Sequence, residues 1–369
     1  MFDLKILQVV RSMNVGGLEN YVKNLLIFTN QKETCDCLIC DEAVTDYENE
    51  LNSIGIQIYH LPAPDKLKVN FYKTLLAFFQ KHTDYDIVHC HMAGSNGLIV
   101  TASRRAGIRR VVCHSHGVSL EEKENTLQKL YLCWMRNKMK KADGFLACSE
   151  AAGEYLYGKM LFKERGIVVP NGIALNAYAF SEEKRKNQRS RSGIELSDFV
   201  LGHVGSLSRV KNQSLILEIA ANLKKDITSL KVLLVGDGDS RQNLVSKANE
   251  LGIEDSVVFT GKQERVMDYL SAMDVFIFPS LSEGFGLSLL EAEANGLPCV
   301  VSDKIQPEVK ILDNVYTVPL AEGIQEWVDT VKKVKKIGRS KDAIEILKES
   351  GLDEEACYAR VLRLYQEIK

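Results

Sequence analysis

The sequence has no excess of basic residues and no long hydrophobic run. Its 369 residues include 47 lysines and arginines against 49 aspartates and glutamates, a net charge of -2. Nucleic-acid-binding domains are usually strongly basic, so this balance argues against a nucleic-acid partner. No apolar run reaches the roughly 20 residues that a membrane-spanning helix needs. The N terminus lacks the basic region and cleavage site of a secretory signal, and we therefore expect a cytoplasmic protein.

Cysteine is present but forms no recognisable framework. The nine cysteines are scattered through strand-like and helix-like segments, which is typical of reduced thiols in a cytoplasmic protein. Cys35, Cys37 and Cys40 lie close together, but no further ligands complete a zinc pattern around them. We therefore expect these three to be buried thiols.

Strand-like and helix-like segments alternate along the chain, as in doubly wound α/β proteins. Short apolar runs such as Lys5–Val10 are typical of buried parallel strands, and longer helical segments separate them. The turn at Pro170-Asn171-Gly172 interrupts this alternation, which then restarts. We predict two Rossmann-like domains, residues 1–174 and 175–353, facing each other across a cleft with their strand ends. The last helix, about residues 354–369, is expected to pack back on the first domain.

A glycine-rich turn between a strand and a helix is the most informative segment. The run Ser282–Glu291 follows the apolar segment Asp274–Pro279, and a helical pattern begins near Leu287. Free N–H groups at a helix start, aided by the helix dipole, bind anions such as phosphate. The carboxylates of Glu283 and Glu291 repel phosphate but accept hydrogen bonds from hydroxyl groups. This combination favours a sugar joined to a nucleotide through a diphosphate.

Four histidines lie at the ends of two predicted strands. His89 and His91 are spaced two residues apart, as are His114 and His116, so both members of each pair point to the same face. We expect at least one of them to contact substrate or to act in catalysis. The same spacing occurs in metal sites, so a metal-dependent hydrolase is an alternative. Against it, no carboxylate at these strand ends completes or orients a ligand set.

Further candidates lie at the ends of the first strand of each domain. Gly16 and Gly17 let a backbone approach a ligand closely, and a plain turn is the alternative. Arg209 and Lys211 can each offset the charge of a diphosphate, and the alternative is that both are surface cations.

Two polar features are expected to be exposed to solvent and to have no part in the site. The basic segment Ser181–Arg191 has no interleaved aromatic residues and reads as a solvated helix face. Glu293 is on the opposite side of its helix from Glu291, and we expect it to be solvated.

Together these motifs resemble the retaining glycosyltransferases of family 4, which have the GT-B fold. The resemblance runs over nearly the whole chain, with Val169–Ile173 and Leu234–Gly238 in the expected order. Its most specific part is the Glu-x7-Glu signature formed by Glu283 and Glu291. The run His114-Ser115-His116 is similar to a variant found in bacterial exopolysaccharide and capsule enzymes. The resemblance implies an acceptor-side N-terminal domain and a nucleotide-sugar-binding C-terminal domain.

The resemblance also implies roles for individual residues. The donor-binding set it implies comprises Gly16, Gly17, Arg209, Lys211, Glu283, Gly284, Phe285, Gly286, Leu287 and Glu291. Within this set, Glu283 would hold hydroxyls of the donor sugar, Glu291 those of the ribose, and Lys211 the diphosphate. Catalytic contacts are expected from His114, with His116 as the neighbouring candidate, and from Glu283 and Lys211.

The chain departs from the family pattern at two positions. Ser206 stands where the family often has arginine, and Arg209 is a candidate to replace that cation. Ala174 stands where the family commonly has aspartate. Both departures concern contacts with the donor.

We therefore expect a retaining glycosyltransferase that moves a sugar from a nucleotide-sugar, UDP-linked, to a glycan or lipid-linked acceptor in surface polysaccharide synthesis. No cofactor and no metal ion are expected, because backbone N–H groups and cations are assigned to the diphosphate. The alternatives are a nucleotide-sugar epimerase of the same fold, the hydrolase using His89, His91, His114 and His116, and a non-catalytic sugar-nucleotide-binding protein.

One helical segment suggests a peripheral contact with the inner membrane. The segment Thr126–Lys141 combines apolar residues with a basic flank, namely Leu127, Leu130, Tyr131, Trp134 and Met135 with Lys129, Arg136, Lys138, Lys140 and Lys141. Such a helix can lie at a membrane surface and bring an enzyme to a lipid-linked acceptor. The alternative is a core-facing helix whose basic side is solvated.

Overall fold

The computed structural model describes residues 4–14, 16–64, 69–117 and 126–368, without the side chains of residues 126–128. The chain divides into two units, one formed by Met1–Gly172 with Glu354–Lys369 and the other by Ile173–Asp353. Each unit is built around one parallel sheet with helices between the strands, which confirms the predicted α/β class. In the described part of the chain, no helix is both long and apolar enough to cross a bilayer.

The first unit contains a seven-stranded sheet in the order β3-β2-β1-β4-β5-β6-β7. Its strands are β1 (Lys5–Val10), β2 (Thr34–Ile39), β3 (Ile58–His60), β4 (Ile87–Cys90), β5 (Arg110–Ser115), β6 (Gly144–Ala147) and β7 (Gly166–Val168). Its helices, apart from the C-terminal helix described below, are α1 (Gly17–Asn30), α2 (Glu48–Ser53), α3 (Val69–Lys81), α4 (Asn96–Arg105), α5 (Thr126–Met139), α6 (Glu150–Tyr157) and α7 (Lys159–Arg165). The strand order reverses between β1 and β4, and ligands of such sheets bind at this switch point.

The second unit contains a six-stranded sheet in the order β10-β9-β8-β11-β12-β13. Its strands are β8 (Phe199–Val204), β9 (Leu230–Val235), β10 (Val257–Phe259), β11 (Val275–Phe278), β12 (Cys299–Ser302) and β13 (Val315–Val318). Its helices are α8 (Leu175–Tyr178), α9 (Glu182–Arg191), α10 (Gln213–Leu223), α11 (Arg241–Glu250), α12 (Val266–Ala272), α13 (Leu287–Ala294), α14 (Ile324–Val334) and α15 (Ala343–Glu349). Here the order reverses between β8 and β11, so the loops after these two strands are neighbours.

The C-terminal helix α16 (Glu354–Glu367) belongs to the first unit. Its apolar side is buried, and Tyr358, Val361 and Tyr365 join the core that also contains residues of β1 and α1. The spacing of these residues by three or four positions places them on one face of the helix. A segment more than 180 positions after the rest of the unit therefore completes its core.

The predicted thiol cluster is buried, as its strand pattern indicates. Cys35 and Cys37 lie in β2 and Cys40 follows it, and all three are free thiols with little or no exposure. Burial raises the pKa of the Cys40 thiol to about 12, so it stays protonated at neutral pH.

The basic segment Ser181–Arg191 is not simply a solvated helix face, because two of its arginines are held in the fold. Arg189 is fully buried, and its guanidinium lies 2.8 Å from Asp274 and donates to the carbonyl of Ala272 at 2.9 Å. Arg185 pairs with the other carboxylate oxygen of Asp274 at 2.7 Å. These bonds fix α9 against the start of β11. The expectation failed because the charge pattern does not reveal a distant partner.

Glu293 also differs from the solvated carboxylate that we expected. It is fully buried, and its Oε1 accepts hydrogen bonds from the N–H groups of Ile311 at 2.9 Å and Leu312 at 2.7 Å. Burial raises the pKa of Glu293 to about 8, although the two N–H bonds oppose this shift. The carboxyl group thus ties α13 to the segment that precedes β13.

We predict that Glu293→Gln changes how stability depends on pH. A carboxyl whose pKa is about 8 in the folded protein and 4.5 when unfolded favours folding less as pH rises. The free energy of unfolding of the wild type, relative to that of the variant, should therefore fall between about pH 4.5 and pH 8 and then level off. Urea unfolding at several pH values measures it, with exposed Glu322→Gln as control. A difference that does not vary with pH would contradict the raised pKa.

Candidate active site

In the second unit, the glycine-rich turn joins β11 to α13. Gly286 has a φ of 101°, in the left-handed region that favours glycine, and it precedes the first residue of α13. As the N-cap it has no side chain to accept hydrogen bonds from the first turn of the helix. Phe285 is buried, while Gly284 and Leu287 are partly exposed. The turn can therefore present backbone N–H groups to an anion.

Lys211 and Glu283, both predicted to contact the donor, contact each other in this structure. The Nζ of Lys211 lies 2.7 Å from Oε1 of Glu283, and both side chains are largely buried, with 18% and 11% exposure. Lys211 also lies over the ring of Phe278, 5.0 Å from its centroid. The ion pair joins the loop after β8 to the loop after β11.

Three residues that the sequence did not identify hold the Lys211 loop in place. Asn212 has a φ of 54°, which asparagine tolerates, and it donates to the carbonyl of Pro279 at 3.2 Å. Gln213 donates to the carbonyl of Ser206 at 2.8 Å and is also 3.3 Å from Nε2 of His203. Burial lowers the pKa of His203 to about 3, so the ring is neutral. No local motif indicated these roles, because His203 lies within β8 and Asn212 and Gln213 follow the 3-10 turn that contains Lys211.

The loops after β8 and β9 are in close contact. Gly236 has a φ of 134°, and a Cβ at this position would collide with the carbonyl of Gly205.

Arg209 lies in the 3-10 turn Arg209–Lys211, and its side chain is exposed. Asp237 and Asp239 flank Gly238 in an Asp-x-Asp pattern, and both are exposed.

Glu291, in α13, lies near Lys211 and is bonded to a residue from α8. The hydroxyl of Tyr178 donates to Oε1 of Glu291 at 3.0 Å. Burial raises the pKa of Glu291 to about 7, while the Tyr178 bond and the charge of Lys211 lower it. The residue keeps some surface exposure, so part of the carboxyl group can still be reached. Tyr178 had no motif that could have identified it.

In the first unit, the four histidines form one cluster at the ends of β4 and β5. The ring centroids of His114 and His116 are 4.0 Å apart, and those of His89 and His91 are 4.2 Å apart. Tyr21 of α1 packs against His116 with centroids 5.2 Å apart. The neighbouring strands β4 and β5 therefore bring the four imidazoles together.

The cluster differs from our expectation in which histidine is accessible. His89, His91 and His114 are buried, whereas His116, one residue beyond β5, is partly exposed. Both ring nitrogens of His114 are buried without a hydrogen-bond partner. A direct substrate contact therefore favours His116 over His114, which was our first candidate. The i, i+2 spacing predicted that these two residues share a face, but it did not predict how deeply each one is buried.

All four histidines are expected to be neutral at physiological pH. Burial lowers the pKa of His89, His91 and His114 well below the usual value and that of His116 to about 3. The Nδ1 of His91 lies 2.8 Å from Nε2 of His116, and the Nδ1 of His116 lies 3.2 Å from Oδ1 of Asn171. His116 is thus held at both ring nitrogens.

The cluster matches a metal site only in part. Ligand atoms of His89, His91 and His114 lie within 4.8 Å of one another, and this described group contains no carboxylate. Both nitrogens of His91 already have partners, since Nε2 lies 2.9 Å from Oε1 of Gln8 and Nδ1 faces His116. A metal ion would have to break one of these bonds.

Gly16 and Gly17 lie at the switch point of the first sheet. Gly16 is the extended N-cap of α1, and Gly17 is the first residue of that helix. A Cβ at Gly16 would collide with the carboxylate of Glu19. Gly16 thus leaves room for the Glu19 carboxylate, which is the end of a flexible side chain, at the start of α1.

Comparisons with known proteins agree with this architecture. Residues 15–177 match the family model described as Glycosyltransferase Family 4, and residues 184–349 match Glycosyl transferases group 1. The chain is 31% identical over 368 residues to EpsF of Bacillus subtilis (strain 168), a glycosyltransferase by name. This similarity covers 98% of this chain and 96% of EpsF.

Two further similarities involve UDP-sugars. The UDP-Gal:alpha-D-GlcNAc-diphosphoundecaprenol alpha-1,3-galactosyltransferase of Escherichia coli is 28% identical over 277 residues, 72% of this chain and 70% of that enzyme. The crystal structure of Anabaena HepE in complex with UDP-glucose has a TM-score of 0.81 and 20% identity, covering 99% of this chain and 100% of HepE.

Each family model spans one Rossmann-like half of the chain, in the order expected for a GT-B protein, and the similarity to EpsF extends over nearly the full length of both chains. The chain therefore belongs to the family 4 glycosyltransferases, with two Rossmann-like domains of the GT-B fold.

Proposed function

We propose that this chain transfers a sugar from a UDP-sugar to a glycan or lipid-linked acceptor, with retained anomeric configuration, in surface polysaccharide synthesis. The observation that carries the proposal is the grouping of Lys211, Glu283 and Glu291 beside the N terminus of α13. An anion-binding backbone with a carboxylate on either side fits a diphosphate flanked by two hydroxyl-bearing groups. The names of the Escherichia coli relative and of the HepE complex support UDP as the nucleotide, and the former supports a lipid-linked acceptor.

Donor binding would make Lys211 and Glu283 exchange partners. The 2.7 Å ion pair orients both groups. A diphosphate offers the ammonium group more negative charge than one carboxylate does, so Lys211 would move to the diphosphate. Glu283 would then be free to accept hydrogen bonds from hydroxyls of the sugar. Arg209, exposed in the same turn, is proposed to add positive charge in place of the arginine absent at Ser206.

Glu291 is proposed to bind the ribose hydroxyls. The Tyr178 hydroxyl holds one carboxylate oxygen at 3.0 Å and leaves the other available to a ligand. Because the pKa of Glu291 is about 7, the carboxyl is only partly ionised at neutral pH before a ligand binds. Two hydroxyl donors stabilise the ionised form, so binding would lower this pKa.

The chemistry is proposed to be substitution on one face of the sugar. The acceptor oxygen bonds to the anomeric carbon as the bond to the diphosphate breaks, and the acceptor proton passes to the departing diphosphate. This route uses no carboxylate nucleophile of the kind found in retaining hydrolases. The protein would contribute positioning and stabilisation of the leaving group by Lys211 and backbone N–H groups, without a metal ion. His116 is the histidine we propose to contact substrate, with His114 supporting it from within β5.

The helix α5 is proposed to contact the membrane surface. Leu132, Met135 and Met139 are buried on its core side, as the core-facing alternative requires. Leu130 and Trp134 nevertheless remain 62% and 53% exposed on another side. The ammonium of Lys138 lies over the Trp134 ring at 4.3 Å, and Lys140 and Lys141 are exposed. Exposed apolar side chains beside cations suit an anionic lipid surface.

The first test is sugar transfer in EDTA. Purified protein is incubated with UDP-sugars and a polyprenyl-diphosphate-linked sugar, and the product linkage is read by NMR. We expect transfer with retained configuration, and Lys211→Ala should lower kcat/KM by about 10- to 150-fold through loss of a charge-assisted contact. Lys332→Ala, which breaks only a surface ion pair with Asp226, is the control.

Other outcomes of this assay distinguish the alternatives. Interconversion of donor sugars without acceptor would identify an epimerase. Loss of turnover in EDTA that Mn²⁺ restores would show that a metal ion is needed. Elemental analysis of bound metal in Asp237→Asn and in His91→Asn would then separate the exposed Asp-x-Asp pattern from the histidine cluster.

A second prediction separates the two carboxylates. Glu291→Gln should weaken UDP binding, whereas Glu283→Gln should spare UDP and weaken UDP-sugar binding. The wild type should lose UDP affinity relative to Glu291→Gln as pH falls through about 7, because the neutral carboxyl is a poorer acceptor. Calorimetry of both proteins measures this, and the ionisation of UDP itself cancels in the difference. Equal loss of UDP affinity in both variants would refute the assignment.

A third prediction concerns α5. Vesicles rich in anionic lipid should sediment the wild type at low salt, and Lys138→Glu combined with Lys141→Glu should abolish this. Lys333→Glu with Lys336→Glu, the same charge change at and just beyond the C-terminal end of α14, should have no effect. If the wild type stays in the supernatant, the exposed side of α5 does not bind lipid and a water-soluble acceptor is favoured.

A further inference from the structure

A continuous chain of hydrogen bonds runs through the first unit from α16 to His116. The Nδ1 of His89 lies 2.6 Å from the Tyr365 hydroxyl, and one end of the Gln8 amide lies 3.0 Å from that same hydroxyl. The other end of the amide lies 2.9 Å from Nε2 of His91. His91 continues the chain to His116 at 2.8 Å, and His116 reaches Asn171 at 3.2 Å.

Each neutral imidazole in this chain must donate from one nitrogen and accept at the other. The proton positions of His89, His91 and His116 are therefore coupled. The donors and acceptors along the hydrogen bonds can be ordered in two opposite directions. In the first direction, Tyr365 donates to His89, and His91 and His116 carry their protons on Nε2. In the second direction, His89 donates to Tyr365, and all three rings carry their protons on Nδ1.

The first direction leaves two defects. The proton of His89 would lie on Nε2, which is buried and has no partner among the described residues. The bare Nδ1 of His116 would face Oδ1 of Asn171, so that two acceptors would meet at 3.2 Å. Turning the Asn171 amide removes only the second defect. An orphaned buried N–H group is rarer in proteins than an unused acceptor.

The second direction leaves no histidine N–H of this chain without a partner, and Nε2 of His89 keeps an unused lone pair. His116 donates from Nδ1 to Asn171, and His91 donates from Nδ1 to His116. A half-turn of the Gln8 amide then gives one of its two N–H groups to His91 and its oxygen to Tyr365. The turned oxygen can also accept the S–H of Cys35, which the amide otherwise contacts through its N–H. Burial raises the pKa of the Tyr365 hydroxyl, which therefore keeps the proton it donates to Gln8.

We infer that Tyr365, Gln8 and His91 are positioning residues that fix the proton of His116 on Nδ1. A hydroxyl on the C-terminal helix thereby sets the tautomer of a partly exposed histidine at the end of β5. With Nδ1 bonded to Asn171 and Nε2 to His91, the ring cannot turn over, and it meets substrate in one orientation. The effect on turnover rests on the proposed contact of His116 with substrate, whereas the tautomer does not.

The tautomers can be measured without any activity assay. Long-range ¹H–¹⁵N correlation spectra of protein labelled on its seven histidines distinguish Nδ1–H, Nε2–H and doubly protonated rings. We expect His89, His91 and His116 to be Nδ1–H at neutral pH, with signals assigned from single His→Gln variants. An Nε2–H or doubly protonated His116 would overturn the inference.

Two variants test the direction of the chain. Gln8→Glu places an acceptor oxygen toward Tyr365 and another toward His91, so His91 and His116 should switch to Nε2–H. Tyr365→Phe keeps the ring but removes the hydroxyl, so both tautomers of His116 should appear and kcat should fall about 3- to 10-fold with donor KM unchanged. Tyr358→Phe removes a buried hydroxyl from the same helix outside the chain and should leave the His116 spectrum unchanged.

The outcomes separate this inference from the proposed function. If Gln8→Glu and Tyr365→Phe leave the His116 tautomer unchanged, the inference is wrong even if sugar transfer is found. If both variants shift the tautomer but kcat is unaffected, the chain of hydrogen bonds exists and His116 has no part in turnover. If Tyr358→Phe shifts the tautomer as much as Tyr365→Phe, general loosening of α16 explains the effect and the inference fails.

Discussion

A polar side chain at the end of a buried parallel strand costs free energy unless it finds a partner inside the protein, because little water reaches it. Both units meet this constraint at the point where their strand order reverses. In the second unit, Lys211 and Glu283 neutralise each other across two loops. In the first unit, uncharged histidines share hydrogen bonds with Gln8, Tyr365 and Asn171. The same side chains are the candidates for ligand contacts.

This arrangement gives the second unit a frame that is held by hydrogen bonds within the protein. Asn212 and Gln213 fix the loop after β8, and Tyr178 fixes Glu291. Groups that are already oriented lose little conformational entropy on binding, so more of the interaction energy is available for affinity and catalysis. The ion pair of Lys211 with Glu283 is the exception, since it has to open for both groups to meet a donor.

The first unit depends on a segment from the far end of the chain. The helix α16 contributes Tyr358, Val361 and Tyr365 to the core, and the Tyr365 hydroxyl joins the histidine cluster. Burial also explains why four close imidazoles are tolerated, because lowered pKa values keep them uncharged. The core and the candidate site of this unit therefore share one element.

The sequence by itself determined the α/β class, the glycine-rich turn before α13 and the candidates Lys211, Glu283 and Glu291. These features depend on residues within a few positions of each other, where periodicity and helix-start chemistry apply. Only the tertiary structure decided the partners: Lys211 meets Glu283 72 positions away, and His89 meets Tyr365 276 positions away. It also buried Glu293 and made His116 more accessible than His114. Local patterns carry no information on contacts between distant segments, and such contacts set burial, ionisation and hydrogen-bond direction.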